Sequence, residues 1–298
     1  MLLLLIKKRA TIRERCPACC SLRMKQFSLQ LLHSFLLSFF SPIMHIELVL
    51  VAALAAKLGS ALVGVDWQFS DTQQIQNGLN NVTFPFDLSN APHTTGFYFA
   101  QQFYFNGVDS VAYTGLQPRP DNDNGSVIHA AFSSFVEGTT SNSPLCSDGA
   151  DGGAGVSCAV EFNGDYSHKY NCVVETTDGG LTWRGTVVDT VTGDSHAVGE
   201  WTLPKKAAGL QTSGTGFVEY YIYPRESDGK VKCDGLPLTE VSFFSPSSTT
   251  QGANQGTIGK PYEYGDCVGT SAFSTEAISN GYDVKVGFKV TADGFCRW

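Results

Sequence analysis

The segment Gly96-Phe-Tyr-Phe-Ala-Gln-Gln-Phe-Tyr-Phe105 places phenylalanine at 97, 99, 103 and 105, with Tyr98, Gln102 and Tyr104 between them. Extended backbone sends alternate side chains to opposite faces, so this segment reads as a strand with one aromatic face and one polar face. Similar alternation recurs at 110–118, 127–136, 157–162, 169–176, 182–190, 199–203, 217–223, 240–244 and 282–290. Clusters of Gly, Asn, Asp and Pro separate these runs, and beyond residue 62 no long stretch repeats at 3.6 residues. Short alternating runs joined by turn residues predict an all-β antiparallel sandwich or barrel of about ten strands.

The same alternation nominates a surface. Phe97, Phe99, Phe103 and Phe105 belong to the core, and Ile128, Ala130 and Phe132 join them from a neighbouring strand. The opposite face then carries Tyr98, Gln102 and Tyr104 on one strand, Tyr113, Gln117 and Arg119 on the next, and His129 and Ser133 on a third. Tyr166, His168 and Tyr170 share a parity further on. Tyrosine rings stack on sugar faces while Gln, Arg and His bond hydroxyls, which makes Tyr98, Gln102, Tyr104, Tyr113, Gln117 and Arg119 a candidate glycan-binding face. An ordinary solvated face rich in β-favouring tyrosine is the competing reading.

Charge narrows the partners. Of the 20 Lys/Arg and 28 Asp/Glu, eight and two precede Leu62, so the remaining 12 and 26 leave that part with a formal charge of −14. Nucleic-acid affinity comes mainly from basic groups that displace counterions, so nucleic acid and anionic membranes are set aside as partners.

Residues 1–61 read as a leader. From Met44 the chain runs MHIELVLVAALAAKLGSA, a nine-residue apolar core (48–56) followed by the small residues Gly59, Ser60 and Ala61. That is the layout of a secretory signal cleaved near Ala61, and nine residues are too few to span a bilayer. The stretch before Met44 reads as a gene-model extension, with translation starting at Met24 or Met44. Residues 62–298 are then one secreted domain, expected to be a monomer. Six cysteines remain in it, Cys146, Cys158, Cys172, Cys233, Cys267 and Cys296. An even count after an export signal predicts three disulfides, with Cys146–Cys158 and Cys233–Cys267 the preferred pairs. Asn81-Val-Thr83 and Asn124-Gly-Ser126 are glycosylation sequons.

Three motifs bear on chemistry. Thr176-Thr-Asp178-Gly-Gly180-Leu-Thr182-Trp183 matches the Asp-box pattern, in which Asp178 accepts N–H bonds across a turn, Gly180 supplies a positive φ and Trp183 packs beneath. The box occurs once, so it reads as a stable turn and not as a propeller repeat. The run Cys146-Ser-Asp148-Gly-Ala-Asp151-Gly-Gly-Ala-Gly-Val-Ser-Cys158 brings two carboxylates among glycines, a weak calcium candidate at Asp148 and Asp151. A surface loop stapled by its own disulfide is preferred, and no cofactor is expected. No nucleophile motif is present, and Glu161, Glu175, Glu200 and Glu219 offer a glycosidase pair without indicating which two.

The stretches Tyr113-Thr-Gly-Leu-Gln-Pro118, Phe132-Ser-Ser-Phe-Val-Glu-Gly138, Asp148-Gly-Ala-Asp-Gly-Gly153, Val156-Ser-Cys-Ala-Val-Glu-Phe162, Phe217-Val-Glu-Tyr-Tyr221 and Tyr262-Glu-Tyr-Gly-Asp-Cys267 carry a resemblance over about two-thirds of the chain. The chain resembles a family of uncharacterised secreted proteins, mostly fungal, whose bacterial relatives carry a domain of unknown function. The resemblance implies secretion and a jelly-roll or concanavalin-like β-sandwich, and brings no catalytic residues. The leading expectation is therefore an extracellular carbohydrate-binding protein. Two alternatives stand beside it. One is a polysaccharide-degrading enzyme, either a glycoside hydrolase or a lyase that uses Gln117 and Arg119 to neutralise a uronate with His129 or Tyr113 as base. The other is a non-catalytic wall or host-interaction protein.

Overall fold

The computed structural model describes residues 61–297 except 71–74, 76, 223–231, 254 and 291–295. The leader, apart from Ala61, lies outside the described residues. The strands are β1 (Ala61–Gln68), β2 (Asn81–Asp87), β3 (Phe97–Tyr104), β4 (Val111–Asn122), β5 (Gly125–Ser134), β6 (Cys146–Ala150), β7 (Gly153–Asn163), β8 (Lys169–Thr176) and β9 (Thr182–Asp189). They continue as β10 (Ser195–Thr202), β11 (Ser213–Tyr220), β12 (Thr239–Phe244), β13 (Thr257–Ile258), β14 (Tyr262–Glu263), β15 (Ser274–Ile278), β16 (Gly281–Val286), β17 (Lys289–Val290) and β18 (Cys296–Arg297).

A nine-stranded antiparallel sheet runs β13-β1-β11-β3-β4-β5-β7-β6, with β14 also on β1. A seven-stranded sheet runs β10-β9-β8-β2-β12-β16-β15. The two are a β-sandwich, and each contributes alternate residues to the space between them. From β3 come Phe97, Phe99 and Phe103, and from β2 come Val82, Phe84 and Phe86, all fully buried. Phe84 stacks on Phe103 across the interface with ring centroids 6.3 Å apart, and Phe132 of β5 stacks on Trp201 of β10 at 4.5 Å. The phenylalanine alternation thus fixes which face of the larger sheet is inward, and leaves Tyr98 and its neighbours on the outer one.

Several expectations change. The strands outnumber the ten read from the sequence: β2 alternates Val82, Phe84 and Phe86 around Pro85, which argues against a strand, β1 adjoins the leader, and the other added strands run only two to five residues. Strand β1 begins at Ala61, the residue taken as the end of the leader, and pairs with β11 inside the larger sheet. Cys146–Cys158 and Cys233–Cys267 are bridged, but Cys172 is a free thiol buried in the core, so it forms no third disulfide. Tyr170 is buried in the core from the smaller sheet, so Tyr166, His168 and Tyr170 are not part of the outer tyrosine face.

The Asp box is a turn between β8 and β9. The Asp178 Oδ1 accepts from Gly180 N (2.9 Å) and Thr182 N (3.1 Å), which holds its carboxyl at about 2 against the effect of burial. The positive φ belongs to Gly179 (72°) and not to Gly180. Trp183 is 1% exposed beside Phe105, at 4.9 Å. Among the described residues no helix is long and apolar enough to cross a membrane.

Candidate functional site

A row of small side chains crosses the outer face of the larger sheet. The register pairs Gly64 with Phe217, Phe217 with Ala100, Ala100 with Gly115, Gly115 with Ala131 and Ala131 with Ala159, spanning six strands. Larger side chains flank this row on both sides. One flank is Gln102, Tyr113, Ser133 and Ser157, paired in that order. The other holds Gln117, His129 and Glu161 toward one end and Glu219 with Tyr98 toward the other. Small residues between taller ones make a shallow trough across the strands, its floor largely covered by rings: Ala100 is 0% and Ala131 9% exposed, packed beneath Tyr98, Tyr113 and Phe217. At the β1 end the Tyr262 ring folds over Gly64, where an added Cβ would come within 2.6 Å of it. The Tyr262 hydroxyl donates to Asp66 Oδ1 at 3.1 Å, which also accepts from Thr215 at 2.8 Å. A cavity of about 620 Å³ opens beside them, lined by Asp66, Tyr104, Gln211, Ser213, Thr215 and Thr257 among others.

The hairpin β6–β7 reaches over the trough. Its two turn residues, Asp151 (φ 49°) and Gly152 (φ 79°), are both left-handed, the conformation of a type I′ turn. Gly155, at φ 105°, lies so close to β5 that a Cβ would meet the Ser134 carbonyl oxygen at 1.8 Å. The register also shifts at Gly149. These glycines bend the hairpin so that Asp151 Oδ2 accepts from the Tyr113 hydroxyl at 2.9 Å. Asp148 and Asp151 therefore belong to a β-hairpin and not to an irregular loop, and no group of three or more metal-ligating side chains gathers among the described residues.

The sequence-nominated residues fall into two groups. Arg119, Gln117, His129 and Glu161 form a knot. Arg119 donates from Nε to Glu161 (3.0 Å), from Nη1 to the Pro118 carbonyl and the Tyr221 hydroxyl (both 3.1 Å), and from Nη2 to Gln117 Oε1 (2.8 Å). His129 Nδ1 lies 3.1 Å from the same Glu161 oxygen. Burial and the Arg119 charge lower the His129 pKa, so the ring is neutral at neutral pH. Burial would raise the Glu161 carboxyl, but hydrogen bonds from His129 and Arg119 hold it low. With its donors committed in this way, Arg119 is not a free cradle for a uronate carboxylate. Burial and Asp151 also push the Tyr113 hydroxyl far above its ordinary value, so Tyr113 is a donor and not a base. Gln117 and Arg119 are thus turned on each other, and Tyr113 donates to Asp151.

Tyr98, Tyr113, Asp151 and Glu219 form the second group. Tyr98 is only 4% exposed, so it does not stack on a ligand as the sequence suggested. Its ring lies edge-on to Tyr113 and to Phe217, both at 5.6 Å. Its hydroxyl is buried with no hydrogen-bond partner among the described residues, a state that costs about 1–3 kcal/mol for a lone polar group. Burial above all pushes its pKa well up. Glu219 makes no hydrogen bond or ion pair among the described residues. Burial first, and then Asp151, raise its carboxyl from 4.5 to about 7. Two carboxyls facing one trough, one held protonated near neutrality and one exposed, are the arrangement that separates an acid from a base. Gln101, also buried with no partner among the described residues, lies on the core side of β3.

The sequence named Glu219 as one of four glutamates and did not choose it. The parity of Phe217-Val-Glu219 on an outer face is the signal that was available, and the Asp151-Gly152 pair between β-forming residues is the signal for its partner. Tyr262 and Tyr264, 42% and 37% exposed at the β1 end, were quoted for resemblance alone.

No family model and no curated protein matches the chain. Among solved structures, a scytalido-glutamic peptidase with a transition-state analogue inhibitor is 12% identical, with a TM-score of 0.40, over 77% of this chain and 98% of that one. The same peptidase with a peptide-based analogue is 10% identical at a TM-score of 0.40, over 78% and 100%. SCP-B, a member of the Eqolisin family of peptidases in complex with the tripeptide Ala-Ile-His, is 11% identical at a TM-score of 0.38, over 77% and 98%. Likenesses of this size assign no activity to this chain.

Proposed function

We propose that this chain is an extracellular carbohydrate-binding protein whose ligand lies in the trough on the outer face of the larger sheet. The observation that carries the reading is the open cavity of about 620 Å³ on this face, lined by Tyr104, Gln211, Asp66, Ser213, Thr215 and Thr257. An oligosaccharide offers ring faces to tyrosines and hydroxyls to amides and carboxylates, so a cavity lined by such groups suits it. Export through residues 1–61 and the two disulfides fit an extracellular site, since disulfides persist in oxidising compartments. Tyr104, at the cavity, and the exposed Tyr262 supply the stacking surface, with Gln102 and Tyr113 beside them.

The test is a glycan array with the mature protein, followed by calorimetric titration of the best oligosaccharide. Tyr104→Ala and Tyr262→Ala are expected to weaken binding several-fold each, on the order of 1 kcal/mol per stacked ring. An array without binders, or a selected peptide that binds where no glycan does, would overturn the reading.

A further inference from the structure

We propose that the same trough also hydrolyses the glycan it holds, with Glu219 as general acid and Asp151 as general base. The inference rests on the glycan reading above and deepens it. Glu219 stands opposite Tyr98 on the outer face, with no hydrogen bond or ion pair among the described residues. Asp151 is brought over the same face by the type I′ turn of the β6–β7 hairpin, one oxygen fixed by Tyr113. Tyr98 pairs with Glu219 in register and meets the ring of Tyr113, which holds Asp151, at 5.6 Å; its residue is 96% buried and its hydroxyl has no partner among the described residues. A buried hydroxyl that nothing among the described residues satisfies is the kind of group a ligand hydroxyl matches once the rings over it shift.

The described groups that face Glu219 are Tyr98 from β3, Tyr113 from β4, Asp151 from the hairpin, and Tyr264 just after β14. None of them is a cation, so no positive charge among them draws the proton off Glu219.

The step balances with water as co-reactant. The Glu219 carboxyl gives its proton to the glycosidic oxygen while the bond from that oxygen to the anomeric carbon breaks. Water attacks the anomeric carbon, forming a new C–O bond, and its proton passes to the free oxygen of Asp151. The products are an alcohol and a sugar with a reducing end. Exchange of one proton with solvent returns both carboxyls to their starting states. Asp151 exposed to solvent suits the residue that must activate water.

The experiment measures reducing ends released from laminarin, carboxymethylcellulose, galactomannan, xylan and polygalacturonate between pH 4 and 8, with calorimetric binding on the same substrates. The wild-type protein is expected to cut at least one polymer that it binds, with a rate that falls as pH rises through about 7, where Glu219 ionises. Glu219→Gln and Asp151→Asn are each expected to lose about 10²-fold or more in turnover while binding within about three-fold of wild type. Thermal melts accompany both variants. Binding without any release of reducing ends across the pH range would overturn the hydrolytic assignment and leave the binding reading standing. Absence of binding to every polymer would overturn the binding reading itself. Release of peptides from casein with no polysaccharide cut would overturn the glycosidic assignment in favour of an amide bond. Full turnover in Glu219→Gln would show that another group supplies the proton.

Discussion

Glu219→Gln should stabilise the protein, and only at the alkaline end of its range. The carboxyl ionises at about 7 in the folded state against 4.5 for an unperturbed glutamate. The folded chain therefore binds more protons than the unfolded chain between those values, and stability falls as pH rises through that window. The contribution of the protonated group is fully present below 4.5 and lost above about 7. At 1.36 kcal/mol per pH unit the window is worth about 3 kcal/mol, an upper figure because the carboxyl is half-buried and water relaxes part of the penalty. Glutamine has the shape of the protonated acid and does not ionise. The variant should match wild type at pH 4 and exceed it by up to about 3 kcal/mol at pH 8. For a domain of this size that is a rise of roughly 6–12 °C in Tm. Paired thermal melts at pH 4, 5, 6, 7 and 8 measure the difference, in which every other titrating group cancels. A difference that stays constant across the series would refute the reasoning, because Glu219 would then titrate as an ordinary surface glutamate. An alkaline gain in stability coupled to lost turnover is the trade-off expected where a group is held out of its preferred state for function.

Three further outcomes follow from the fold. Gly155→Ala should lower stability by about 2 kcal/mol or more, since its Cβ would meet the Ser134 carbonyl at 1.8 Å in left-handed backbone; an unchanged melt would show that the hairpin does not hug β5. Trp183→Ala should cost about 3–5 kcal/mol in urea unfolding and leave glycan affinity intact, because the ring is 1% exposed against Phe105 and far in register from the trough; lost binding at full stability would place the site at the Asp box. Produced in a glycosylating host, the protein should carry its glycan on Asn124, exposed in the β4–β5 turn, and not on Asn81, whose Nδ2 donates to Thr249 at 2.7 Å. Mass spectrometry of Asn124→Gln and Asn81→Gln checks this.

The larger architecture was legible because burial is written as alternation. Phe97, Phe99, Phe103 and Phe105 are all fully buried in the interface, and the faces of β3, β4 and β5 follow from parity alone. What parity does not carry is depth. Tyr98 lies on the outer face as expected, yet it is nearly as buried as the core, because Phe217, Tyr113 and the hairpin crowd over it. Nor does parity say which strands sit side by side. The pairing of β11 with β3, which sets Glu219 against Tyr98, joins segments more than a hundred residues apart. The curl of the β6–β7 hairpin depends on left-handed glycines that a composition-based reading dismissed as loop. The knot of Arg119, Gln117, His129 and Glu161 shows the reverse error. Parity puts Gln117, Arg119 and His129 on one face but says nothing of Glu161, and the hydrogen-bonding capacity of all four is turned on one another.

The central claim is that ligand occupies the outer face of the larger sheet. Hydroxyl-radical footprinting with and without saturating oligosaccharide, read residue by residue by mass spectrometry, tests it most directly. Tyr262 and Tyr264, both exposed at the β1 end of the trough, should lose at least half of their oxidation on binding, while Val191, 67% exposed in the turn after β9 of the smaller sheet, stays unchanged. Protection of Val191 with Tyr262 and Tyr264 still fully reactive would contradict the account and move the site to the opposite side of the sandwich.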